Sequence, residues 1–175
     1  MDEVSYNRMR NIVISTGLQV GTATVIEYVK YLEESFLISP LLNFNAKISS
    51  REAKKKYYFR DNGLLSLFLM EPASFQLETL VFNTLRIRFG SNIFYLRNGY
   101  EIDFYIPGEI LIQVCYSLEE PATRKRETSA LLQAFVKNPV KNLNIITYQS
   151  EEVIVENGVS IHVIPAWKWL LREKF

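Results

Sequence analysis

The chain has 175 residues, 48% of them hydrophobic and 22% charged, which is typical of a soluble globular protein. Its net charge of +1 excludes a strongly basic surface, so any nucleic-acid site must be local. The single cysteine, Cys115, excludes an internal disulfide and fits a reducing cytoplasm. No apolar run approaches the roughly 20 residues of a membrane helix. We therefore expect a cytoplasmic protein without a membrane partner.

Residues 1–70 predict two helices followed by a two-stranded hairpin, which is the order of a winged-helix-like domain. A partial apolar stripe favours a helix over 3–15. The second helix is better marked, because Thr24 and Glu27 have the spacing of a capping box. Its expected buried stripe has spacings of four, three and four, at Val25, Val29, Leu32 and Phe36. Residues 36–44 and 56–59 then read as strands.

The predicted hairpin is locally basic, which favours contact with nucleic-acid phosphates. Its candidate binding residues are Arg51, Lys54, Lys55, Lys56 and Arg60. The preceding helix argues against major-groove reading, since its outer face carries Glu27, Glu33 and Glu34. Two alternatives remain open, namely a solvated hairpin without a ligand and a surface that packs against a partner protein.

Residues 71–175 predict a second domain with the element order α-β-β-β-α-β. A helix capped by Ser74 is followed by strands at 93–96, 102–106 and 110–116. Pro121 opens the next helix, where its missing N–H costs nothing. A strand at 143–148, a hairpin over 153–164 and a terminal helix at 166–171 complete the chain. The predicted class is α/β.

Three segments carry a resemblance to a known family: Leu77-Glu78 on the first helix, Glu101-Ile102-Asp103-Phe104 on a strand, and Gln113-Val114-Cys115 on the next strand. This arrangement resembles the PD-(D/E)XK, or restriction-endonuclease-like, fold. More specifically, the chain resembles the domain of unknown function that follows the ATPase module in archaeal and bacterial AAA+-type ATPases. The resemblance implies an N-terminal winged-helix-like segment followed by an α-β-β-β-α-β nuclease-like core.

The resemblance also implies a catalytic site at Glu78, Asp103, Gln113 and Cys115. Its metal ligands would be Asp103, Glu101 and Glu78, with Mg²⁺ or Mn²⁺ as the cofactor if the site is active. Gln113 and Cys115 stand where the family carries an acid and a lysine. An amide brings no charge and a thiol is a poor ligand for magnesium, so the site is degenerate or altered.

Each of these residues also has a structural interpretation. Glu78 fits an ordinary helix-surface acid, Gln113 can hydrogen-bond to Asp103, and Cys115 can pack as a small apolar side chain. Two further candidates for phosphate binding, Arg124 and Arg126, open the next helix, where they would face either a ligand or solvent.

The sequence therefore favours a non-catalytic DNA-binding or interaction module with a degenerate nuclease site. The first alternative is a divalent-metal-dependent nuclease with an altered site. The second is a structural partner of an AAA+-type ATPase domain or of a second copy of the chain.

Overall fold

The computed structural model describes residues 2–47, 51, 53–68 and 73–171. Within these ranges the strands are β1 (Val4–Ser5), β2 (Ile38–Asn43), β3 (Lys54–Phe59), β4 (Phe94–Arg97), β5 (Glu101–Ile106), β6 (Ile110–Val114), β7 (Asn142–Thr147), β8 (Glu152–Glu156) and β9 (Val159–Pro165). The helices are α1 (Tyr6–Ser15), α2 (Thr22–Glu34), α3 (Asn62–Phe68), α4 (Ala73–Phe89), α5 (Pro121–Lys137) and α6 (Ala166–Leu170). The protein is thus of mixed α/β type.

The described strands form one mixed sheet in the order β1-β3-β2-β4-β5-β6-β7-β9-β8. The predicted hairpin β2–β3 joins this sheet through a short parallel pairing of β2 with β4, at Leu42 with Phe94 and Asn43 with Tyr95. The two predicted domains therefore share a sheet. The predicted boundary near residue 71 lies outside the described residues. No described helix has both the length and the apolar character needed to cross a membrane.

Helices α4 and α5 position the strands that matter for function. The predicted apolar stripe of α4 is buried, with Leu77, Val81 and Leu85 in the core cluster on its side of the sheet. Gly90 ends α4 with φ +59° and donates its N–H to the carbonyl of Arg86, as expected for a helix C-cap. Helix α5 connects β6 to the parallel strand β7. The ends of β5 and β6 consequently lie between the two helices.

Helix α2 differs from its prediction at both ends. It begins at Thr22 with Gly21 as N-cap, and no side chain caps it, so the predicted capping box of Thr24 and Glu27 is wrong. Val25 and Val29 are buried as expected, whereas Leu32 is 39% and Phe36 77% exposed. The buried part of the stripe thus ends at Val29, and its later apolar side chains are exposed on the described chain.

Phe36 has φ +58°, a left-handed conformation that is costly for a bulky residue. Because its side chain is mostly exposed, little packing offsets this cost. We expect Phe36→Gly to raise the free energy of unfolding by about 0.5–1 kcal/mol, measured by urea denaturation. The neighbouring Ser35 has φ −78°, so Ser35→Gly should lower the stability instead. A destabilised Phe36→Gly variant would show that the exposed ring contributes more than its strained backbone costs.

Candidate functional site

A cavity of about 830 Å³ opens between α4, β5, β6 and α5. Four residues of the predicted catalytic and metal site line it: Glu78, Glu101, Asp103 and Gln113. Lys125 and Arg126 line it from α5. The fold thus brings together a helix residue and strand residues that are more than 20 positions apart in the chain. Cys115 is not among the residues lining this cavity.

The side chain of Gln113 hydrogen-bonds to the backbone of β5. Its Oε1 accepts the backbone N–H of Asp103 at 2.9 Å, and its Nε2 donates to the carbonyl of Glu101 at 2.9 Å. The side chain is buried and fills the place of a missing backbone pairing between β5 and β6. The amide oxygen of Gln113 therefore already has a backbone partner, and the amide carries no negative charge.

Asp103 is partly buried, with its side chain 18% exposed, and has specific partners. One carboxylate oxygen, Oδ2, accepts the N–H of Val114 at 2.9 Å, while Oδ1 lies 3.8 Å from the ammonium of Lys56. Burial, together with the nearby carboxylate of Glu78, raises the pKa of Asp103 to about 7, and Lys56 and the Val114 amide only partly oppose this rise.

Lys56 provides the principal cation behind the carboxylates that line the cavity. Its side chain is fully buried, and Nζ lies 2.8 Å from Oε1 of Glu101. Burial alone would lower the pKa of this lysine. The carboxylates of Asp103, Glu78 and Glu101 outweigh burial and raise its pKa instead, so it is an ammonium ion at neutral pH.

Strand β3 reaches the site because its buried aromatic residues pack against β5 and α4. The ring of Tyr58 stacks on Phe82 of α4 at 4.2 Å and lies 5.8 Å from Phe104 of β5. Two residues earlier on the same strand, the ammonium of Lys56 lies 5.2 Å from the centre of the Tyr95 ring, within cation–π range. These contacts place the side chains of β3 next to the part of the sheet that carries Asp103.

Glu78 is held by the same strand. The hydroxyl of Tyr58 donates to Oε1 of Glu78 at 2.7 Å, and both side chains are buried. Burial and the carboxylate of Glu78 raise the pKa of Tyr58 well above its usual value, so the phenol stays a donor. Glu78 is therefore part of the interior network rather than a surface acid.

Cys115 packs against the core cluster on the α5 side of the sheet. Burial, followed by the carboxylates of Glu127 and Asp103, raises the pKa of its thiol to about 12. A thiol with so high a pKa is neither a nucleophile nor a metal ligand at neutral pH. The interpretation of Cys115 as a packing residue agrees with this position.

The predicted metal ligands do not fit a metal ion as they are placed. Within the described residues, no three His, Cys, Asp or Glu side chains are arranged to hold one ion together. Glu101 pairs with Lys56, Glu78 accepts from Tyr58, and Asp103 accepts from a backbone amide. The lysine ammonium lies between the carboxylates that would have to share a cation.

The basic residues predicted to bind nucleic acid are not equally available. Lys56 is buried behind the carboxylates of the cavity rather than on the surface where the sequence placed it, and Lys55 is also buried. Arg51 donates to the backbone carbonyls of Ala46 and Phe44, which fixes the turn after β2. Of the predicted hairpin residues, Lys54 and Arg60 are exposed.

On α5, Arg124 makes a two-pronged ion pair with Glu152 of β8, with Nη1 at 3.1 Å from Oε2. Arg126 pairs with Glu127 at 2.6 Å but keeps most of its side chain exposed. Lys125, between the two predicted arginines in the sequence, is exposed and lines the cavity. The α5 cations nearest the cavity are thus Lys125 and Arg126.

No pattern in the sequence indicates the roles of Lys56 and Tyr58. Lys56 follows two other lysines, a pattern typical of a solvated strand, and Tyr58 follows another tyrosine. Only the position of β3 against β5 distinguishes the buried members from their neighbours. Burial alternates irregularly along β3, with Lys55, Lys56 and Tyr58 buried.

Comparison with known proteins gives two matches. Residues 2–74 match a domain of unknown function, DUF8612. An uncharacterized protein of the archaeon Methanocaldococcus jannaschii is 34% identical over 182 residues, which cover 97% of this chain and 41% of that protein. The chain therefore spans less than half the length of this relative. No solved structure matches this chain. Neither match has a described activity, so DNA, an ATPase domain and a second copy of the chain stay predictions.

Proposed function

We propose that the chain is a non-catalytic nucleic-acid-binding module on a nuclease-like core, in which Lys56 replaces the metal ion. The observation that carries this proposal is the buried ammonium of Lys56, 2.8 Å from Glu101 and 3.8 Å from Asp103. A cation supplied by the chain satisfies the carboxylates without a metal. Such a site keeps the shape of an active site but lacks its Lewis acid.

The arrangement of α4, β4–β7 and α5 supports the nuclease-like core. These elements follow the order α-β-β-β-α-β, with β4 antiparallel to β5, β5 antiparallel to β6, and β7 parallel to β6. Asp103 on β5 and Gln113 on β6 lie at the same edge of the cavity. Glu78 faces them from α4, as the resemblance implies.

The rim of the cavity supports a polyanionic ligand. Lys125 and Arg126 lie in the first turns of α5, where the helix dipole adds positive potential. The carboxylates that line the cavity have internal partners, with the ammonium of Lys56 behind them, so a phosphate backbone would contact the rim rather than the floor. The exposed Lys54 and Arg60 of the hairpin offer a second candidate surface.

Fluorescence anisotropy with labelled DNA tests the proposal. We expect the affinity of the wild type to fall steeply between 50 and 200 mM salt, because binding to phosphates releases counterions. Lys125→Gln should weaken binding of all sequences alike and lower the salt slope by about one. Lys141→Gln is the matched control, since Lys141 is exposed and pairs with Glu109 away from the cavity.

Two results would contradict this proposal. Absence of DNA and RNA binding at low salt would exclude a nucleic-acid module. Binding that Lys125→Gln leaves intact and that Lys54→Gln removes would place the ligand on the hairpin instead of the cavity rim.

A metal-dependent nuclease is the second candidate, favoured by the excess of carboxylates. Glu78, Glu101 and Asp103 share one cavity, and burial together with the carboxylate of Glu78 raises the pKa of Asp103. A calorimetric titration with Mn²⁺ separates the two candidates. Micromolar binding that Asp103→Asn abolishes would favour the nuclease, whereas absence of binding favours the non-catalytic module.

A further inference from the structure

A second cavity, of about 690 Å³, lies beside the candidate site, where β6 and β7 end. Tyr116 follows β6 and Tyr148 follows β7, and the N–H of Tyr148 donates to the carbonyl of Tyr116 at 3.2 Å. This bond continues the pairing of the two strands past their ends. Trp167 of α6 lines the same cavity.

The two tyrosine rings form a fixed and open aromatic surface. Their centroids are 4.8 Å apart and their planes differ by 9°, so they are stacked. Nevertheless Tyr116 is 42% and Tyr148 49% exposed, and Trp167 is 60% exposed. Three large aromatic side chains around one cavity are unusual on a surface without a ligand, because exposed apolar patches mark binding sites.

The other lining residues define the chemistry of the ligand. Amide groups come from Gln76, Gln149 and Asn62, and apolar surface comes from Leu77 and Leu80. No charged side chain is among the described residues that line this cavity. A phosphate or a charged peptide would therefore find no counter-charge here. A neutral planar ring with hydrogen-bonding edges fits both the aromatic faces and the amides.

The position relative to the first cavity connects this surface to the same ligand. Tyr116 lies two residues beyond Val114, which lines the first cavity, and a strand rises about 3.3 Å per residue. On α4, Glu78 lines the first cavity and the adjacent Leu77 the second. A single chain of nucleotides can thus reach both cavities.

We propose that Tyr116 and Tyr148, with Trp167 beside them, form a stacking platform for an unpaired nucleobase. This inference rests on the proposed function and narrows its ligand to single-stranded nucleic acid. In a duplex both faces of each base are covered by its neighbours, so only an unpaired or flipped base can stack on protein rings. Its phosphates would contact the basic rim of the first cavity.

The test compares a single-stranded oligonucleotide with its duplex, and follows both anisotropy and tryptophan fluorescence. Trp169 is buried, so quenching by a ligand reports on Trp167. We expect tighter binding of the single strand, quenching on binding, and a five- to hundredfold loss of affinity in Tyr148→Leu, as stacking on aromatic side chains predicts. Tyr28→Leu is the control, since Tyr28 is an exposed tyrosine on α2 and should not affect binding.

Titration with adenosine, which has no phosphate, separates this inference from the proposed function. If DNA binds through Lys125 and the tyrosine variants bind equally well, the platform is wrong and the proposed function stands. If DNA does not bind but adenosine quenches Trp167 in the wild type and not in Tyr148→Leu, the platform stands and the proposed function fails. If neither ligand binds, both are wrong.

Discussion

Replacement of Lys56 by methionine is expected to lower the free energy of unfolding by about 2–4 kcal/mol. Methionine is similar in length and apolar, so the substitution removes the charge and leaves most of the packing. The buried ammonium now neutralises Glu101 at 2.8 Å and faces Asp103 at 3.8 Å. Without it, carboxylates in the cavity must remain uncompensated or take up protons, and both outcomes are costly.

The expected loss of stability is smaller than the usual cost of breaking a fully buried ion pair, because the partners of Lys56 are more exposed than the lysine itself. The side chain of Glu101 is 39% exposed, and water compensates part of its charge. Asp103 can become neutral by protonation, since its pKa is already raised to about 7. Lys56 itself is fully buried, so it cannot be replaced by solvent without opening the hairpin.

Lys54→Met provides the matched control. It removes a lysine from the same strand, two residues away, whose side chain is exposed. We expect a change below about 0.5 kcal/mol, as for most surface substitutions. Equal losses in the two variants, measured by urea denaturation, would contradict the role assigned to Lys56.

Mn²⁺ makes this comparison a test of the function. If Lys56 takes the place of a metal ion, millimolar Mn²⁺ should raise the melting temperature of Lys56→Met and leave that of the wild type unchanged, because a ligand stabilises only the state that binds it. Equal stabilisation of both proteins would mean that the metal binds beside the lysine. That result would favour the nuclease over the non-catalytic module.

How far the sequence predicts this protein depends on the range of the interactions involved. The strands around Asp103 and Gln113 follow from local patterns, and the structure places them as expected. The start of α2 was missed because Gly21 caps it through its backbone and leaves no side-chain signal. The exposure of Phe36 does not follow from the sequence, because an apolar stripe does not indicate whether another part of the protein packs against it.

The charges of the site were harder to predict than its backbone. The resemblance implies a lysine at the position of Cys115, which the sequence shows to be absent, but the cation supplied by Lys56 comes from a strand more than 40 residues earlier. Its contact with Glu101 depends on the packing of Tyr58 against Phe82 and Phe104. Such long-range contacts leave no periodic pattern, so Lys56 was grouped with its exposed neighbours.

The pH dependence of stability should differ between the wild type and Asp103→Asn. The pKa of Asp103 is near 4 in an unfolded chain and about 7 in the folded protein, because of burial and the carboxylate of Glu78. Between these values the folded state binds the proton more tightly. The stabilising contribution of this proton is present at low pH and is lost as the pH rises through 7.

We therefore expect the free energy of unfolding of the wild type to fall, relative to Asp103→Asn, by about 3–4 kcal/mol between pH 4 and pH 7.5. The ammonium of Lys56 has a raised pKa and stays charged throughout this range, so it does not produce the slope. Asp61→Asn, at an exposed position before α3, controls for the loss of a carboxyl group from the chain. Urea denaturation at half-unit steps of pH measures the difference. A constant difference would mean that folding leaves the pKa of Asp103 unchanged, and a rising difference would mean that Lys56 lowers this pKa more than burial and Glu78 raise it.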